Sequence, residues 1–125
     1  MKKMMIVLTL LLLLPSLGWG LEVVEGVVAT GVEQRQPVGV ADHFPADIGR
    51  VYCFTRVRGA VGDDEITHVW LKQGREMARV TLAVRSDNWR TWSSKQVLPE
   101  WRGAWTVKVL DRAGNELTSI SFDLE

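Results

Sequence analysis

The chain has 125 residues and carries 15 basic and 15 acidic side chains, a formal charge of zero. Without Lys2 and Lys3, which fall in the leader described next, two of the 15 basic groups are gone and the charge is −2. That balance argues against a nucleic-acid binder, which needs a basic stripe to displace counterions, and it offers no polybasic attraction to anionic lipid.

Lys2 and Lys3 open the chain, an apolar run follows from Met4 to Leu14, and Pro15 and Ser16 end it. Gly18 and Gly20 then stand two apart as small residues. This order predicts a secretory signal peptide over residues 1–20 and a single exported domain over 21–125. The host decides the compartment: periplasmic in a Gram-negative cell, extracellular otherwise. The competing reading is an uncleaved anchor, but a spanning helix needs about 20 apolar residues and the run is shorter. No second long apolar run occurs, so no membrane span is expected after cleavage.

From residue 21 on, the pattern is that of strands. Val23 to Val32 is β-branched and punctuated by glycine. Residues 33–49 hold two prolines and several turn-forming residues and read as one long connection. Residues 50–59 form the next strand, with Cys53 phased with Val51 and Val57. Cys53 is the single cysteine, so no internal disulfide is available; the expected state is a buried thiol, since free cysteine is among the most buried residue types. An intermolecular disulfide is the alternative.

A polar loop over 60–65 leads to a strand at 66–72 and a turn at Gln73 and Gly74. The segment 76–85 alternates most clearly: Val80, Leu82 and Val84 face one way, Arg79, Thr81, Ala83 and Arg85 the other. Residues 89–98 form a strand ended by Pro99, and 104–110 a strand with Trp105, Val107 and Val109 inward. Residues 111–116 are a hairpin loop with Gly114 available for a positive φ. The last strand puts Ile120, Phe122 and Leu124 on one face. Leu117 is out of phase with it, which predicts a bulge near the start of that strand.

Seven strands with turn signals roughly every 8 to 12 residues give an all-β fold, a seven-stranded immunoglobulin-like β-sandwich. A small β-barrel is the alternative.

Four segments in order, "VYCFTRVRG", "ITHVWLKQG", "NWRTWSSKQVLP" and "GAWTVKVLDRAGNEL", resemble the bacterial family known as domain of unknown function 2914. His68-x-Trp70, Trp89 to Lys95 and Gly103-x-Trp105 carry the resemblance, which runs from about Val27 to the end. It implies a small β domain on the outer side of the cytoplasmic membrane. The family has no established activity, so no catalytic residue transfers from it.

Chemistry-bearing residues are few. His43 and His68 are the two histidines. The G-x-S-x-G elbow and phosphate-binding glycine loops are absent from the sequence, and no cofactor is expected. Asp42, His43 and Asp47, and separately Asp63, Asp64 and Glu65, are acidic enough to invite a metal reading. Zinc wants several Cys or His ligands and calcium six or more oxygens, so no metal is expected.

The stretch Trp89-Arg90-Thr91-Trp92-Ser93-Ser94-Lys95 is the densest in directional chemistry, because indoles stack on sugar rings and arginine, lysine and serine bond hydroxyls. Alternation puts Trp89, Thr91, Ser93 and Lys95 on one face and Arg90, Trp92 and Ser94 on the other. One face should build the core, the other should meet a ligand. The expected ligand site gathers His68, Arg90 and Trp92, with Arg56 and Lys95 as contributors. The leading functional expectation is a binding or interaction module of the envelope, for a glycan or another polymer or for a protein partner. The alternatives are an enzyme using His68 with a nearby carboxylate, and a structural subunit docking by a sheet edge.

Overall fold

The structure, a computed structural model, describes residues 20–125. The expected leader lies outside the described residues, save Gly20. Ten strands form among the described residues, all short enough for an ordinary β domain: β1 (Glu22–Ala29), β2 (Gly31–Glu33), β3 (Gln36–Val38), β4 (His43–Phe44), β5 (Arg50–Arg58), β6 (Asp64–Lys72), β7 (Arg75–Val84), β8 (Asn88–Gln96), β9 (Gly103–Leu110) and β10 (Glu116–Leu124). Among the described residues no helix is long and apolar enough to cross a membrane.

Strands β1, β5 and β8 make one antiparallel sheet in that order. Strands β4-β10-β9-β6-β7 make the second, antiparallel except where β4 runs parallel to β10. Neither sheet closes on itself, so the barrel alternative falls and the fold is a β-sandwich. The first, second and fifth of the seven long strands form one sheet and the other four lie in the opposing one. An immunoglobulin constant-type order would put the fourth with the first, second and fifth, whereas here β7 pairs with β6.

The expected long connection over 33–49 is not a plain loop. The strand read as Val23 to Val32 stops at Ala29, and a separate β2–β3 hairpin follows, pairing Val32 with Pro37. Its turn residues Gln34 and Arg35 both have positive φ, 51° and 60°, the geometry of a two-residue type I′ turn. Asn and Gly normally fill such a turn, so this sequence gives no signal of it. Gly39 closes the hairpin at φ 72°, where a side chain would collide with Thr30 Oγ1. Strand β4 then tucks Phe44 against the end of β10, and Glu125 N–H donates to the Phe44 carbonyl at 2.9 Å. At the other end of the loop regions, β6 starts at Asp64, two residues before the expected Ile66.

The inward faces follow the alternation. Val51, Cys53, Thr55 and Val57 on β5, Ile66, His68 and Trp70 on β6, and Trp105, Val107 and Val109 on β9 are all buried. Phe122 anchors the larger core cluster: its ring stacks on Trp105 at 5.8 Å and takes edge contacts from Phe44 at 5.8 Å and Trp70 at 6.3 Å. Such pairs add about 0.5–1.5 kcal/mol each beyond the area they bury. The bulge expected near Leu117 is present between Glu116 and Thr118. Two further bulges, at Val23/Glu25 and Trp70/Leu71, have no counterpart in the sequence pattern.

Cys53 is buried and free, and burial pushes its thiol up to about 12. A thiolate is the reacting species. The native protein should therefore resist a thiol reagent at pH 8 and label fully in denaturant. Labelling of the folded protein within minutes would place the thiol at the surface.

Candidate functional site

His68 sits at the centre of the sandwich, fully buried on the inward face of β6. Across from it in the other sheet, Thr55 on β5 and Ser93 on β8 are the only other buried polar side chains among the described residues. Thr55 Oγ1 donates its one proton to the Thr91 carbonyl at 3.0 Å. It must then accept from His68, so His68 Nε2 carries the proton of the 3.2 Å contact between them. His68 Nδ1 is left as the acceptor, and Ser93 Oγ donates to it at 2.7 Å. Ser93 in turn accepts the indole N–H of Trp70 at 3.1 Å. One directed chain results, from Trp70 through Ser93, His68 and Thr55 to the Thr91 carbonyl. No buried side-chain nitrogen or oxygen among the described residues is left unpartnered.

Burial lowers the His68 pKa from 6.5 to about 4. The ring is neutral at physiological pH, and both its nitrogens are used. No carboxylate hydrogen-bonds it among the described residues, and neither ring nitrogen is free to meet the Cys53 thiol. His68 is thus a link between the sheets. The sequence signal for this was its phase with Ile66 and Trp70; what alternation alone lacked was the partner across the sandwich.

The expected trio of His68, Arg90 and Trp92 does not form one surface. Ser93, bonded to His68, marks the inward face of β8; Arg90 and Trp92 alternate with it and point to the other side. Lys95 shares the inward register, and its ammonium lies 5.0 Å over the Trp101 ring near the end of the strand. Trp70 is core. Arg56 does join the outer group, directly opposite Arg90 in the β5–β8 register. Its Nε donates to Asn88 Oδ1 at 2.8 Å.

On that outer face Trp92 is paired with Phe54 and stacks on it at 6.3 Å, nearly parallel. Phe54 is only 1% exposed although it faces away from the core. The β2–β3 hairpin lies against β1 and β5. Its tip reaches the edge of the sheet, where the Arg35 guanidinium lies 5.7 Å over the Trp89 ring. Arg35, Trp89, Arg90, Thr91 and Trp92 then line a shallow cleft along the free edge of β8, with Ala83 of β7 as its far wall. A cleft at an edge collects residues from both faces of the strand, which is why Trp89 and Trp92 can share it. Arg35 has no sequence signal, because it lies in the unforeseen hairpin.

The two acidic groups are accounted for differently. Asp64 and Glu65 face Arg112 at 3.5 and 3.8 Å. His43 bonds Asp42 at 2.9 Å, and that bond, with Glu125 nearby, holds its pKa above the usual value. Among the described residues no three such side chains are placed to hold a metal ion. The edge strand β7 carries Arg75, Glu76 and Arg79, with Arg79 bonded to Glu76 at 3.0 Å; charge of this kind discourages edge-to-edge pairing.

Residues 63–124 match a family whose description reads Protein of unknown function (DUF2914). The His68-x-Trp70, Trp89 to Lys95 and Gly103-x-Trp105 segments all fall inside the match, whereas "VYCFTRVRG" lies before it. No curated protein matches the chain.

The buried histidine makes stability depend on pH. The unfolded chain takes up a proton near 6.5 and the folded ring only near 4, so acid favours the unfolded state and stability falls as pH drops through this window. Between pH 6.5 and 5, above most carboxylate titration, the loss should be about 1.5 kcal/mol. Urea unfolding at a series of pH values measures it, and His68→Gln should flatten the profile in that window. Nitrogen NMR of the wild-type ring should report the neutral Nε2–H tautomer at pH 5.5; a charged imidazolium there would contradict the assignment.

Proposed function

We propose that this chain, which belongs to the DUF2914 family through residues 63–124, is an exported binding module of the cell envelope whose ligand surface is the cleft along β8. The observation that carries this reading is the convergence of two guanidinium groups and two indole rings on one solvent-open edge. Indoles offer flat apolar faces and guanidinium groups offer forked donors, a pairing suited to recognition. His68, the residue most suggestive of acid–base chemistry, is committed to the core. The Lys2-Lys3 start, the apolar run and Gly18-x-Gly20 support export, with cleavage after Gly20.

Two measurements test the reading. Mass spectrometry of protein from the native host should find a chain beginning at Leu21 or within a few residues of it; full-length chain held in the membrane fraction would refute export. Arg90→Ala should leave the melting temperature nearly unchanged, since surface substitutions usually stay within about 0.5 kcal/mol, yet release the protein from envelope material that retains the wild type. Equal retention of the folded variant would remove the cleft from the site.

A further inference from the structure

We infer that the β8 cleft selects an acidic sugar unit, a ring bearing a carboxylate or phosphate, with Arg35 of the β2–β3 hairpin as a specificity-determining residue. The inference rests on the binding reading above and adds the class of ligand.

Charge comes first. Arg56 and Arg90 stand directly opposite each other on neighbouring strands, and like charges in that position are destabilising. Neither they nor Arg35 forms an ion pair among the described residues, as is also true of Arg50, Arg75, Arg85 and Arg102; Arg58, Arg79 and Arg112 do. Glu25 lies opposite Arg56 on its other side, away from Arg90, and makes no ion pair with it. An oxyanion entering the cleft would relieve this local excess of positive charge, and the guanidinium fork fits carboxylate and phosphate oxygens in pairs.

The rings come second. Trp89 and Trp92 flank Arg90 in the cleft. Trp92 is braced by Phe54, while Trp89 packs partly against the core cluster of Val57, Ile66, Val84 and Val109 and is covered by Arg35, which makes Trp92 the main stacking face. A polyanion without rings would use the arginines and leave the indoles idle; a neutral sugar would stack and bond the arginines through hydroxyls, but leave their charge uncompensated. An acidic sugar uses both.

The backbone comes third. Gln34 and Arg35 hold the left-handed region without glycine or asparagine, an uncommon conformation for such residues that favours functional positions when the surroundings fix it. Here the turn delivers Arg35 to the rim of the cleft.

The test uses the whole exported protein on four immobilised probes: polygalacturonate, its methyl ester, phosphomannan and poly-glutamate. Retention on polygalacturonate or phosphomannan should exceed that on the ester and on poly-glutamate by about tenfold or more, and whichever of the two is stronger identifies the oxyanion. That retention should weaken as salt rises from about 50 to about 300 mM, because exposed charges are screened. Arg35→Ala and Arg90→Ala should each reduce it about tenfold with unchanged melting temperature. Equal binding of acid and ester would overturn the acidic class while leaving the binding module standing. Equal binding of poly-glutamate would make the partner an acidic peptide and overturn the sugar. Loss in Arg90→Ala but not in Arg35→Ala would remove the hairpin's role, and no retention on either acidic glycan would overturn the inference outright.

Discussion

The directed hydrogen-bond chain from Trp70 to the Thr91 carbonyl is the constraint around which this sandwich is arranged. Hydrophobic faces alone let two sheets slide and rotate against each other. Three polar side chains buried between them do not, because each misplaced partner costs about 1–3 kcal/mol of unsatisfied desolvation. Trp70 and His68 come from β6 in one sheet, Ser93 and Thr55 from β8 and β5 in the other. The chain therefore fixes β8 against β6 at a single register. The Phe122, Trp105 and Trp70 rings pack beside it, so the indole of Trp70 belongs to both the apolar core and the polar link.

Fixing β8 from the inside has a consequence on the outside. With Ser93 held toward His68, Trp92 and Arg90 are committed to the outer face, and Trp92 is laid flat on Phe54. The β2–β3 hairpin lies against β1 and β5, and the turn that closes it brings Arg35 to Trp89. Core, hairpin and cleft thus meet on one strand.

The acidic turn and the exposed histidine behave as ordinary surface features beside this. Asp64 and Glu65 face Arg112 across exposed contacts of a kind that contributes little to stability. His43 and His68 show how far surroundings divide one residue type: a neighbouring carboxylate holds the first above its usual pKa, and burial holds the second well below it.

The seven long strands and most of the inward set are legible in the sequence. Val51, Cys53, Ile66, Trp70, Val84, Trp105, Val107, Phe122 and Leu124 are where a period of two puts them, because side chains in a strand point alternately and apolar ones are driven inward. It also determined that "WRTWSSK" has a structural face and an outward face, and that the last strand breaks phase at Leu117. Tertiary structure decided what lay across a gap in sequence. The partners of His68 are 13 and 25 residues away in chain order, and no local pattern encodes which buried hydroxyl meets which ring. The hairpin was silent because Gln34 and Arg35 adopt a turn that sequence usually marks with glycine or asparagine. Arg90 and Trp92 were legible as neighbours; that Arg35 and Trp89 complete their cleft follows only from the way β8 ends its sheet, since an edge alone lets residues from both faces of a strand meet.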